Sequence, residues 1–347
     1  MFIRITNLPD KSMKVLFIGG TGNISTSVSK LAVSRGIELY LLNRGRQSSP
    51  IPGTNTIIAD ITKPDEVSAA LKGHTWDVVV NWIAYVEEEI TRDFELFYNR
   101  TKQYIFISSA SVYQKPLLSP VITESTPLKN PFWQYSRNKI ACELRLNRYY
   151  RERDFPVTIV RPSHTYDTII PVTIGGGHEY TAIDRMKKGK KIIVHGDGSS
   201  LWSLTHSEDF AKGFTGLLGH HGAIGHSFHI TSDEVLTWDQ IHHIIADAAG
   251  CTADIVHISS DLLALYDEEL RGSLLGDKSM SVIFDNSKIK QFVPGFTATI
   301  PFTEGIRRTL ARFEADPARQ QVNQSTNEWI DFVIDQYEKA YPLEKES

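Results

Sequence analysis

The chain has 347 residues, enough for a large core plus a second lobe rather than one ordinary compact domain. A net charge of −4 supplies no overall positive field, which argues against nucleic acid or an anionic membrane surface as a partner. Cys142 and Cys251 are too few for a disulfide framework and have no metal-ligand spacing, and no apolar run reaches the roughly 18 residues of a membrane span, so a cytoplasmic globular protein is expected.

Residues 1–12 carry charges and Pro9 and lack a signal-peptide core, and they read as a loose N-terminal extension. From Met13 onward short β-rich runs alternate with helical patterns. Strands are expected at 14–18, 38–42, 56–59, 77–81, 104–108 and 157–160, with helices at 23–35, 64–71, 86–98 and 133–153 between them. Apolar runs with little alternation are what strands buried on both faces look like, and the intervening helices imply parallel crossovers. The expected fold is α/β, a doubly wound parallel sheet with a smaller C-terminal lobe.

Beyond Arg161 the rhythm becomes irregular, with loops at Pro162, Pro171 and 175–177. A helix is expected at 180–188, a short strand at 191–194, then a helix at 207–218 and a strand at 228–230 that return to the main sheet. Thr237 is placed to cap a helix running to Ala249, and further helices fall near Asp261 and at 301–315 and 328–339. This divides the chain into a dinucleotide-binding domain, 13–166 with 204–232, and a substrate lobe, 167–203 with 233–347.

Gly19-Gly20-Thr21-Gly22-Asn23-Ile24 follows the first strand and opens the first helix. A tight glycine turn there lets the backbone approach a pyrophosphate at a helix N-terminus, where N–H groups and the helix dipole favour negative charge. Ser25 stands where a third glycine is usual, and an ordinary glycine turn is the alternative; position at the start of a full βαβ unit favours a dinucleotide. The end of the second strand reads Asn43-Arg44-Gly45-Arg46, with no carboxylate for a ribose 2′-hydroxyl. Arg44 and Arg46 suit a 2′-phosphate, so NADP(H) is favoured over NAD(H), unless both are simply solvated loop residues. Asp60 is placed either to meet the adenine amino group or to cap the next turn, with Ile61 and Ala84 as flanking cofactor contacts.

Tyr135 and Lys139 stand four apart on the expected long helix and so share one face. A phenol ordinarily has a pKa near 10, and a neighbouring ammonium lowers it toward useful acid/base chemistry. The strand end Ser108-Ser109-Ala110-Ser111 presents hydroxyls at the carboxyl edge of the sheet, where ligands bind in this architecture.

With these residues in view, the chain resembles the extended short-chain dehydrogenase/reductase superfamily, and within it the NAD-dependent epimerase/dehydratase family. The resemblance runs through Gly19-x-x-Gly22, Asp60, 108–113, Tyr135-x-x-x-Lys139, Arg161-Pro162, Gly196-Asp-Gly198 and Asp285-x-Ser-Lys288. It implies Ser109 as the substrate-polarising hydroxyl with Ser111 as auxiliary, Tyr135 as acid/base, and Lys139 as its modulator and ribose ligand. It also implies a homodimer formed through the Tyr-x-x-x-Lys helix. The expected activity is hydride exchange between the dinucleotide and an alcohol or carbonyl of a small, sugar-like substrate, as net redox or as epimerisation. A nucleotide-sugar epimerase, or a catalytically silent dinucleotide- or RNA-binding protein on the same scaffold, are the alternatives.

Three departures bear on the substrate. Relatives that act on nucleotide sugars carry diphosphate-binding arginines where this chain has Trp202 and, near 273–277, Leu274; Arg271 and Lys278 lie close enough to substitute for the second. His164 replaces an Asn of the Arg-Pro-x-Asn pattern. Trp202 and His164 are therefore candidate substrate contacts, with packing under a loop and a structural histidine as the respective alternatives. Ala110-Ser111 replaces the acidic pair of the family's 4,6-dehydratases, which argues against dehydration by that route. No His-x-x-x-His with a nearby carboxylate occurs, so no metal is assigned. The basic run 187–191 reads as a solvated helix end.

Overall fold

The computed structural model describes residues 12–45 and 50–340. The N-terminal extension up to residue 11, and Arg46, lie outside the described residues. Five strands, β1 (Lys14–Ile18), β2 (Glu38–Asn43), β3 (Asn55–Ile58), β4 (Val78–Asn81) and β5 (Tyr104–Ile107), join Val157–Pro162 and Ser227–Ile230 in one sheet. Its order is Ser227–Ile230, Val157–Pro162, β5, β4, β1, β2, β3, and every pairing is parallel. This is the expected doubly wound sheet.

The apolar runs explain it. Along β1, Val15 and Phe17 enter one core, and Leu16 and Ile18 enter the other. In β5, Ile105 and Ile107 face the first core and Tyr104 and Phe106 the second. Both faces therefore need helices, and they have them. Helix α1 (Ser25–Ser34) and the helix Ser207–Leu217 cover one face. Helices α2 (Pro64–Ala70), α3 (Glu87–Phe97) and α4 (Gln134–Arg153) cover the other. On α4 the buried stripe is Ser136, Lys139, Cys142, Glu143 and Leu146, a helical-period face that carries Lys139 and Glu143 inward.

The chain runs from β1 outward to β3 and returns to lay β4 on the other side of β1, so the order reverses between β1 and β4. That switch point opens a crevice at the carboxyl ends of the strands, above the glycine loop.

A further core gathers around Trp202, Trp238, Phe302 and Phe313. Thr237 caps the helix Trp238–Ala248 as expected, in a capping box with Gln240. The last helix starts at Gln324, one turn before the expected boundary. Two- and three-residue pairings that no local pattern announces tie the parts together: His164–Tyr166 with Leu204–His206, Val121–Ile122 with Ile283–Phe284, and Leu201–Trp202 with Leu236–Thr237. The lysines of 187–191 are each ion-paired, Lys187 to Glu314, Lys188 to Asp184, Lys190 to Asp331 and Lys191 to Glu338, rather than forming a free basic patch.

Candidate active site

The glycine loop is tightly built. Gly19 and Gly20 have φ of +91° and +100°, conformations that disfavour side chains, and a Cβ on Gly20 would lie 2.8 Å from Leu41 Cδ2. Ser29 Oγ donates to the Gly20 carbonyl at 2.8 Å, and Gly22 N–H donates to Ser25 Oγ at 2.8 Å, which explains why Ser serves at the usual third-glycine position. Asn23 has a bracing role that sequence reasoning missed. Its Nδ2 donates to the Thr165 carbonyl and its Oδ1 accepts from Thr168 N–H, fastening the loop to the segment after Pro162.

Above this loop lies a cleft of about 570 Å³, lined by Gly19 to Ser25, Trp82, Ile83, Tyr85, Ser108, Ser109, Tyr135 and Lys139. The volume falls in the range of small-molecule and cofactor sites. The buried Ser108 Oγ has no partner among the described residues, and Ser108 borders the cleft, a polar group available to a ligand. Side-chain-free glycines at a helix N-terminus, an orphaned hydroxyl and a cleft of this volume fit a nicotinamide dinucleotide.

A second cavity of about 490 Å³ adjoins the first, lined by Ser109, Ala110, Ser111, Trp133, Tyr135, Ser163, His164, Glu269, Asp277 and Lys278. Ser109, Tyr135, Ser163 and His164 border both spaces. Ser109 Oγ lies 2.9 Å from Ser111 Oγ, which accepts from Ser136 Oγ at 2.7 Å, so the segment after β5 is joined to α4 through hydroxyls. Asn130 is a second bracing residue missed in the sequence. Its Nδ2 donates to the carbonyls of Ser111 and Gly276, holding the turn 274–278 against the strand end.

Lys139 is buried and its Nζ donates to the carbonyls of Ala84 (2.6 Å) and Ile107 (2.8 Å). Burial pulls its ammonium down to about 8. Tyr135 shows the opposite effect: burial pushes its phenol above the ordinary value, and the Ser109 hydroxyl pulls it partly back. Lys139 is not among the groups that shift the phenol, so the lowering expected from a neighbouring ammonium is not seen in the cofactor-free protein. Burial also pulls His164 down to about 3, so its imidazole is neutral at pH 7, and its buried Nδ1 has no partner.

Other expected contacts fall elsewhere. Trp202 is 2 % exposed, packs on Trp238 with ring centroids 5.9 Å apart, and lines neither cavity, so it offers no substrate platform. Asp60 caps the next turn, its Oδ1 accepting from Thr62 N–H and Oγ1, and neither it, Ile61 nor the exposed Arg44 lines the cleft. Ala84 contributes through its carbonyl to Lys139. Leu274 is fully buried, and Arg271 is turned to Glu268.

The Lys139 burial has a measurable consequence in the cofactor-free protein. Its native ammonium gives up a proton near 8, whereas an unfolded lysine does so near 10.4. Between those values the unfolded chain binds more protons, so raising the pH favours the native state, by at most about 1.4 kcal/mol per pH unit. Thermal denaturation from about pH 8 to about pH 10 should show the wild type gaining stability relative to Lys139→Met. A difference that falls over that window contradicts the assignment.

Against this geometry, a model of the NAD dependent epimerase/dehydratase family matches residues 15–231. The chain belongs to that family. It is an NAD-dependent enzyme of the extended short-chain dehydrogenase/reductase type, a class whose members here include reductases, dehydratases and epimerases. It is 27% identical over 259 residues to the chloroplast stem-loop binding protein of 41 kDa b of Arabidopsis thaliana, a match covering 70% of this chain and 65% of that one. It is 20% identical to the 2'-dehydrokanamycin reductase of Streptomyces kanamyceticus, over 83% of this chain and 81% of that one. Among solved structures, dTDP-glucose 4,6-dehydratase of Bacillus anthracis in complex with NAD shares the fold with a TM-score of 0.70 and 20% identity, covering 88% of this chain and 98% of that one. Among the described residues, no helix is long and apolar enough to cross a membrane, and no three potential metal ligands cluster.

Proposed function

We propose that this enzyme catalyses hydride exchange at an alcohol or carbonyl carbon of a small, sugar-like substrate, with Ser109, Tyr135 and Lys139 as its catalytic group. One observation carries this reading: the Ser109 and Tyr135 hydroxyls stand on the wall shared by the dinucleotide-sized cleft and the second cavity. A substrate oxygen in the second cavity would accept from Ser109, while Tyr135 gives or takes the proton as the carbonyl and alcohol interconvert. A bound nicotinamide dinucleotide supplies the hydride acceptor or donor. Gly19 to Ile24 would hold its pyrophosphate, and Lys139, whose ammonium is already fixed at the cleft floor, would meet its ribose and help hold charge on the phenol. Resemblance to the dehydrokanamycin reductase supports the reducing direction. A panel of keto-sugars with reduced cofactor, followed through nicotinamide absorbance, tests the function; no turnover on any of them counts against it.

The cofactor we favour is NADP(H). Asn43, whose Oδ1 accepts from Gly45 N–H, stands at the end of β2 where a ribose-binding carboxylate is usual, and Arg44 beside it is an exposed guanidinium of the kind that pairs with a 2′-phosphate. NADPH should bind about tenfold more tightly than NADH in a calorimetric titration, and Arg44→Ala should narrow the gap. Tighter binding of NADH by the wild type overturns this preference. We place the protein in the cytoplasm as a homodimer formed along α4, where Leu144 is 62 % exposed; light scattering gives the oligomeric state.

A further inference from the structure

The charges around the second cavity bear on what it admits. Glu269 and Asp277 bring two carboxylates to its lining, and Lys278 brings one ammonium. Lys278 Nζ lies 3.1 Å from Asp277 Oδ2, so its charge is already matched. Glu269 Oε1 accepts from Trp133 Nε1 at 3.2 Å, a neutral donor that leaves the carboxylate's charge uncompensated. Lys115 is buried and outside the lining, donating to the Asp277 backbone carbonyl and lying over the Trp202 ring. His164, neutral at pH 7, adds an unpartnered Nδ1, and Ser163 beside it an unpartnered Oγ. The lining thus holds one net negative charge together with unused neutral hydrogen-bonding atoms.

A diphosphate brought here would meet the uncompensated Glu269 carboxylate, and the one ammonium in the lining is already paired with Asp277. Moving such a group out of water is unfavourable unless cations or N–H donors replace the solvent. A hydroxylated ring bearing an ammonium meets complementary groups instead, with the ammonium toward Glu269 and the hydroxyls toward Ser163 and His164.

We propose that the substrate is a cationic amino sugar or amino polyol without a diphosphate, and that Glu269 selects it. This rests on the functional reading above, since it takes the second cavity as the substrate site. The test uses the whole protein with saturating NADPH and three ligands, glucosamine, glucose and UDP-glucose, with binding read by calorimetry and by the fluorescence of Trp133 in the cavity wall. Glucosamine should bind about tenfold more tightly than glucose, and UDP-glucose the most weakly. Glu269→Gln keeps an acceptor for Trp133 and should erase the glucosamine preference. Glu268→Gln, one position away and facing Arg271, should leave it unchanged. The double variant Glu269→Gln with Asp277→Asn leaves Lys278 as the only charge in the lining and should gain affinity for UDP-glucose. Wild-type binding of UDP-glucose tighter than glucosamine, or a Glu269→Gln variant that keeps the preference, overturns the proposal. Turnover of a neutral keto-sugar that depends on Tyr135, found together with either result, would retain the functional reading while removing this one.

Discussion

Replacing Tyr135 by Phe is expected to lower turnover by about 10²–10⁴-fold, the range for loss of a positioned general acid/base, with dinucleotide affinity nearly intact. The ring stays apolar and aromatic, so its packing against Trp133 (4.9 Å between centroids) and Tyr85 (6.2 Å) is kept. Only the hydroxyl is lost, and that hydroxyl sits at the boundary of the two cavities beside Ser109. Because burial raises the phenol in the cofactor-free protein, Tyr135 is poised as a proton donor, which suits carbonyl reduction. Steady-state kinetics on any accepted substrate, with cofactor binding measured in parallel, check this. Near wild-type turnover in the variant would remove Tyr135 from the mechanism.

The largest stability effect is expected at Arg161. Its guanidinium grips Glu143 in a bidentate pair, Nε to Oε1 at 3.0 Å and Nη2 to Oε2 at 2.6 Å, with Arg161 4 % exposed and Glu143 fully buried. Glu143 stands one turn beyond Lys139 on the same face of α4, so the pair pins α4 to the Val157–Pro162 strand. Arg161→Met leaves a carboxylate in the core without its partner and should cost about 3–5 kcal/mol. Adding Glu143→Leu should restore most of that loss, since a buried pair replaced whole by apolar groups is often neutral. Denaturant unfolding of wild type, single and double variants reads both effects. A single variant that loses less than about 1 kcal/mol contradicts the assigned role.

The parts legible in the sequence were those with a local signature. The strands of the large sheet stood out because runs such as Lys14–Ile18 bury alternate residues in two different cores. The glycine loop and the Tyr135/Lys139 spacing were legible because a turn or one helix face fixes them. Trp202 was not, because its environment is set by a two-residue strand pairing with Leu236–Thr237, which turns the indole toward Trp238; two residues have no readable period. Asn130, Glu269 and Asp277 were missed for a related reason. They reach the cavity beside Ser109 and Ser111 from segments elsewhere in the chain, joined by contacts such as Asn130 to Gly276 that no local pattern encodes. Asp60 went to the structural alternative, since Thr62 two residues on satisfies it locally.

The central claim is that Tyr135, with Ser109 hydrogen-bonded to the substrate oxygen, transfers a proton at the same carbon–oxygen bond that exchanges hydride with the dinucleotide. Transfer of deuterium from reduced cofactor labelled at nicotinamide C4 tests it most directly, with mass spectrometry or NMR locating the label in the product of a reduced keto-sugar. The label should appear on the new carbinol carbon with the wild type, and its transfer should fall with Tyr135→Phe and with Ser109→Ala. Product formed without the label, or label transfer undiminished in both variants, would contradict the account.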